Sequence, residues 1–126
     1  MLVDTDVLIW YLKGNNNARQ EIEAMSDIFI SVVTYIELIQ GMRNKQELIA
    51  LRRQLRIWNV KVLYISEDIS AKALFYVENH YLSHSMQLAD ALISATAVTK
   101  GLAIFTGNVK HYKVIKDLSI KKFNPV

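Results

Sequence analysis

The strongest constraint in this chain is a pair of carboxylates, Asp4 and Asp6, set two positions apart between the apolar runs Leu2-Val3 and Val7-Leu8-Ile9. An ionised group at the inner end of a buried strand loses hydration and needs a cation or strong hydrogen bonds to stay charged. The spacing predicts a strand ending near Asp4, a tight turn at Thr5, and a helix that Asp6 opens as N-cap and that continues to Leu12. In an open α/β sheet ligands bind at the carboxyl ends of strands. Asp4 is therefore the first candidate for a chemical role.

The remaining chain alternates short β-type runs with helical patterns. Gly14 is a helix C-cap candidate, and Asn15-Asn16-Asn17 a polar turn before a helix over 18–25. Strands are expected at 28–32, 60–65, 102–105 and from Leu118, and helices at 33–41, 44–59, from Ser66 to about Tyr81, 87–98 and 109–115. The expected fold class is α/β, with a mostly covered sheet. No repeat, linker or low-complexity segment interrupts the 126 residues, so a single domain over 1–126 is expected, burying about two-thirds of its unfolded surface. Cysteine is absent, which excludes disulfides, thiol catalysis and Cys-based zinc sites. The first residues lack a basic region followed by an apolar run and a small-residue cleavage site, so no secretory leader is expected, and no apolar run approaches the roughly 20 residues of a membrane span. A cytoplasmic protein without a membrane partner is expected.

Two more acids sit in apolar settings. Glu37 lies among Ile36, Leu38 and Ile39, with the small residues Thr34 and Gly41 at i−3 and i+4 leaving volume beside its carboxylate. That segment alone reads equally well as a Glu on the polar edge of an amphipathic helix. Asp90 is the single charge in a helix that is apolar almost all round, with Ser94 at i+4. A structural cap is the plain alternative, but caps sit at helix boundaries and Leu88-Ala89 precedes this Asp. Thr106-Gly107-Asn108 follows a short strand, the position Asp4 holds on the first. His80 and His84 have a metal-site spacing, but Tyr81 follows the first and Ser83 to Ser85 reads as a loop, so they are taken as exposed helix-end side chains.

Should Asp4, Glu37 and Asp90 converge, unit charges about 4 Å apart repel by about 4 kcal/mol per pair even at an effective dielectric near 20. A cation or bound protons must then relieve them. All-oxygen ligation points to Mg²⁺, or Mn²⁺, ions that activate water and neutralise charge in an attack on phosphorus. Once Asp4, Asp6, Glu37 and Asp90 are assigned to the interior, eight of the twelve acids face fifteen Lys and Arg on the exterior. A basic shell around an acidic pocket suits a polyanionic substrate. Arg43, Lys45, Arg52, Arg53, Arg56 and Lys61 read either as a solvated face or as a phosphate-contacting stripe. Trp10, Tyr35 and Trp58 read as core packing, with base stacking the alternative.

Four stretches, Leu2 to Ile9, Ser31 to Gly41, Ala89 to Ala97 and Thr106 to Tyr112, resemble in order the motifs of PIN-domain ribonucleases, above all the VapC-type toxins of toxin–antitoxin pairs. The resemblance covers nearly the whole chain. It implies a three-layer α/β/α sandwich with a mostly parallel five-stranded sheet, Mg²⁺-dependent cleavage of RNA leaving 5′-phosphate and 3′-hydroxyl ends, a homodimer, and a cognate antitoxin. By motif, Asp4, Glu37 and Asp90 would be the metal-binding acids, Asp4 and Asp90 holding the principal ion, with Asp6 and Thr106 in support. The fourth motif departs from the pattern: Asn108, with His111 next along, stands where many members supply an acid. One strong metal site and a weaker one completed by substrate are expected.

The opening also fits a haloacid-dehalogenase-like phosphatase, but the late acidic pair of that class is missing. A phospho-acceptor receiver domain fails because the third strand ends in Ile65-Ser66 without an Asp. A PIN fold acting only as an RNA- or protein-binding scaffold is the remaining alternative.

Overall fold

A computed structural model describes all residues 1–126. Five short strands, β1 (Leu2–Val3), β2 (Phe29–Ser31), β3 (Lys61–Leu63), β4 (Ile104–Thr106) and β5 (Ile120–Lys122), form one sheet in the order β3-β2-β1-β4-β5. Every pairing is parallel, so the sheet is wholly rather than mostly parallel. Seven helices surround it: α1 (Thr5–Leu12), α2 (Asn16–Ala24), α3 (Val32–Gln40), α4 (Lys45–Ile57), α5 (Glu67–His84), α6 (Leu88–Lys100) and α7 (Val109–Tyr112).

The layers follow from the strand order. From β1 to β3 the chain steps outward in one direction, then jumps back past β1 to β4 and β5. Right-handed crossovers in opposite directions deposit their helices on opposite faces. Strand side chains alternate to match: Val3, Ile30 and Phe105 join Leu8, Ile22, Leu38 and Leu51 in one core, while Leu2 and Ile104 join Ile69, Ala73, Ile93 and Tyr112 in the other. Leu2 and Val3 are both fully buried, each stabilising the fold by about 1.5–3 kcal/mol. A charge at residue 2 or 3 would be lodged inside one of the cores. No helix is long and apolar enough to cross a membrane.

Local boundaries correct the sequence reading at the most informative point. Asp4, not Asp6, is the N-cap of α1: its backbone is extended, with φ −74° and ψ 157°, and its side chain accepts from the Thr5 N–H. There is no turn at Thr5, because the strand stops at Val3 and the helix begins at once. Ser31 acts in the same way on the neighbouring strand, capping α3 directly from the end of β2. The long helix α5 runs on to His84 rather than ending near Tyr81, and the αL conformation at Ser85 stops it. Gly14 lies one residue past the C-cap of α1, Lys13, and takes the positive φ of +87° that the chain needs to turn into α2.

Candidate active site

The strand order reverses between β1 and β4, and a crevice at the carboxyl ends of strands flanking such a switch is where open α/β sheets bind ligands. Asp4 follows β1 there, and Thr106 closes β4; the sequence placed Thr106 after its strand, but it is the last strand residue. The two strands are locked at this point by the Asp4 N–H, which donates to the Phe105 carbonyl at 2.9 Å.

Asp4 is only 4% exposed. Its Oδ1 accepts from the Thr5 N–H at 2.8 Å and its Oδ2 from the Thr106 hydroxyl at 2.8 Å. Those bonds favour the ionised form but do not win. Burial first, and repulsion from Asp6 second, push the Asp4 carboxyl up to about 6. Asp6, placed by the first turn of α1, accepts from the Gly107 N–H at 2.9 Å, and its other oxygen lies 3.5 Å from the Thr106 hydroxyl. Burial raises its pKa as well, against the pull of the Gly107 N–H. Gly107 is glycine for a spatial reason: a Cβ there would lie 2.7 Å from Asp6 Oδ2.

Asp90, in the first turn of α6, is half-buried and its pKa is raised by desolvation. His111 Nδ1 on α7 stands 3.7 Å from Asp90 Oδ1, too far for a direct hydrogen bond. Buried Tyr112 completes this side: desolvation, then the charges of Asp4 and Asp90, push its phenol far up. The two acids thus act on one phenolic hydroxyl. Ser94, one turn beyond Asp90, is fully buried and its Oγ has no partner.

Glu37 is tied to the same place from α3. Its Oε1 accepts from the Thr5 hydroxyl at 2.7 Å, and Thr34 Oγ1 lies 2.9 Å from that hydroxyl. Thr34 was expected to leave open volume beside Glu37. In fact it is fully buried and spends its hydroxyl on Thr5. An open groove of about 580 Å³ between α1, α3 and α4 has Glu37 on its wall, with Ile9, Leu12, Leu38 and Met42 supplying apolar surface.

Asn108 contributes its main chain. Its N–H donates to Thr106 Oγ1 at 2.9 Å, whereas its side chain is exposed and makes no capping bond. His80 and His84 lie on α5 with ring centroids 6.1 Å apart. Trp58 packs edge-to-face on Tyr11 at 4.5 Å beside one core, against which Tyr35 also packs, while Trp10 is 40% exposed with Lys13 over its ring. Thr5, Gly107 and Tyr112 are the site residues that sequence reasoning missed.

No three of these acids and histidines stand close enough to form a ready-made metal cluster. The donor set nevertheless fits a hard cation. Asp4, Asp6 and Asp90 are desolvated carboxylates and none has a Lys or Arg partner; the Lys and Arg ion pairs of the molecule are Arg43–Glu47 and Lys121–Glu21, and Asp90 has only the loose His111 contact. A cation with some of its water shell would offset that unmatched negative charge, and ions such as Mg²⁺ are held by one or two carboxylates plus substrate oxygens.

The PIN domain family model matches residues 1–117. Ribonuclease VapC10 of Mycobacterium tuberculosis is 36% identical, over 94% of this chain and 90% of that protein. Ribonuclease VapC1 of Methanocaldococcus jannaschii is 29% identical, over 98% of this chain and 87% of its own. Among solved structures, a toxin–antitoxin complex from Klebsiella pneumoniae contains a chain that superposes with a TM-score of 0.76 at 27% identity, covering 99% of this chain and 97% of that one.

Proposed function

Because the chain belongs to the PIN domain family, we propose that it is a metal-dependent endoribonuclease that hydrolyses RNA phosphodiester bonds as the toxin of a toxin–antitoxin pair. The observation that carries the reading is Asp4: a carboxylate 4% exposed, without a basic partner, at the switch point of the sheet and beside a second acid. Similarity to proteins named as ribonucleases, and to a chain of a toxin–antitoxin complex, supports the substrate class and the partner.

Asp4 and Asp90 would hold the ion, with Glu37 as a third ligand or as the group that orients a water. Bound Mg²⁺ or Mn²⁺ supplies an acidified water and neutralises charge that develops on the phosphoryl oxygens. The protein's own residues do the rest. Thr106 and the Thr5 N–H fix the two oxygens of Asp4. Asp6, held by Gly107, adds negative potential to the pocket. Exposed Arg52, Arg53 and Arg56 on α4 form no ion pair and supply positive surface to a polyanion. The groove beside Glu37, largely apolar and bordered by Arg43 and Glu47, suits a segment of the antitoxin. A homodimer in the cytoplasm completes the proposal.

Purified protein incubated with cellular RNA in Mg²⁺ or Mn²⁺ is expected to release discrete fragments with 5′-phosphate ends, and EDTA to suppress them. Fragments with 2′,3′-cyclic phosphates that persist in EDTA would contradict it.

A further inference from the structure

Thr5 is bonded to two of the candidate acids at once. Its backbone N–H donates to Asp4 Oδ1 at 2.8 Å, and its side-chain hydroxyl lies 2.7 Å from Glu37 Oε1. These carboxylates come from different elements, far apart in the chain, and Thr5 stands between them. The direction of the second bond follows from the inventory of hydrogens. An ionised carboxylate only accepts, and Thr5 has one hydroxyl hydrogen, so that hydrogen goes to Glu37. The 2.9 Å contact with Thr34 Oγ1 must then be a donation from Thr34 to Thr5. The result is a directed chain: Thr34 hydroxyl to Thr5 hydroxyl to Glu37 carboxylate. Each hydroxyl polarises the next, and the bond to charge at its end is the strong one.

From this we propose that Thr5 is a positioning residue that sets the orientation of Glu37 relative to Asp4 and so prepares the pair for a divalent cation. The inference rests on the metal-dependent reading above and extends it to a residue outside the ligand set. Thr5 needs no contact with ion or substrate to act. Without its hydroxyl, Glu37 keeps its place on α3 but loses the bond that selects its rotamer. The cation must then order a free carboxylate at its own entropic cost.

The test compares wild type, Thr5→Val, Thr5→Ser, Thr34→Val and the Thr5→Val/Thr34→Val double variant by calorimetric titration with Mn²⁺ alone, and then by steady-state cleavage of a fixed RNA at saturating Mg²⁺. Valine keeps the volume and β-branching of threonine, and the N–H that caps with Asp4 is untouched, so the thermal midpoint reports whether the variant folds. Thr5→Val is expected to bind Mn²⁺ about tenfold more weakly, about 1.4 kcal/mol, with kcat reduced and KM for RNA unchanged. Thr5→Ser should return within about twofold of wild type. Since the chain passes through Thr5, the double variant should bind no worse than Thr5→Val, a non-additivity that independent packing effects would not give.

Wild-type affinity in a folded Thr5→Val, or a Thr5→Ser as impaired as Thr5→Val, would overturn the role of Thr5 while leaving the nuclease standing. A wild type that neither binds Mn²⁺ nor cleaves RNA would overturn both.

Discussion

The Thr106 hydroxyl donates to Asp4 Oδ2 at 2.8 Å across 102 positions of sequence, joining the carboxyl ends of two neighbouring parallel strands. Thr106 Oγ1 in turn accepts from the Asn108 N–H at 2.9 Å. One buried hydroxyl therefore holds the central acid, the end of β4 and the start of α7.

Thr106→Val should remove all of this at nearly constant volume. A buried carboxylate and the part-buried Asn108 N–H each lose a partner, which costs about 1–3 kcal/mol, and thermal or urea unfolding should show a loss of that order. Thr106→Ser should recover most of it. Because the Thr106 bond lowers the Asp4 pKa, the valine variant should also move the Asp4 titration to higher pH, measurable by carboxyl ¹³C NMR.

Metal-free protein should become less stable as pH rises through the range between about 4 and 6. The Asp4 carboxyl is raised from its ordinary 3.8 to about 6, by burial first and Asp6 second. The folded state therefore binds the proton more tightly than the unfolded one. Its stabilisation is complete below the unfolded value and is lost as pH climbs through the folded value. The raised value corresponds to about 3 kcal/mol. Asp6 and Asp90 are raised as well and act in the same direction. Denaturant unfolding in EDTA at pH 4 and pH 7 checks the sign. In Asp4→Asn the difference between the two should shrink by roughly that amount.

Gly107→Ala places a methyl 2.7 Å from Asp6 Oδ2 and forces apart a 2.9 Å hydrogen bond. A loss of about 1–3 kcal/mol is expected for this crowding. Asp6→Ala removes the atom that would be struck. Gly107→Ala should then cost much less in the Asp6→Ala background than alone, as a double-mutant cycle would show. Equal costs in both backgrounds would place the strain elsewhere.

Much of this site was legible in the sequence because charge in an apolar setting is a strong local signal. Asp4, Glu37 and Asp90 each stand out for that reason, and the alternation of strands and helices indicated a sheet with its sites at strand ends. The cap of α1 was not legible: Asp4 and Asp6 are both good caps, and only the two-residue length of β1 decides between them. Bonds between distant residues were also beyond reach. The Thr5–Glu37 bond spans 32 positions and the Thr106–Asp4 bond 102, and neither leaves a periodic trace. Gly107 read only as part of the segment after a strand, whereas its missing Cβ makes room for Asp6. Asn108 drew attention through its side chain, yet its N–H makes the bond to Thr106.

The most direct test compares wild type with Asp4→Asn, first in folding and Mn²⁺ binding and then in cleavage of the same RNA with Mg²⁺ or EDTA. The substitution removes a desolvated charge with little change of shape. The variant should fold with a metal-free thermal midpoint at pH 7 at least as high as wild type, bind Mn²⁺ far more weakly, and leave the RNA intact under conditions where wild type yields discrete, EDTA-sensitive fragments. An Asp4→Asn protein that cleaves the same RNA at the wild-type rate would contradict a metal-binding role for Asp4.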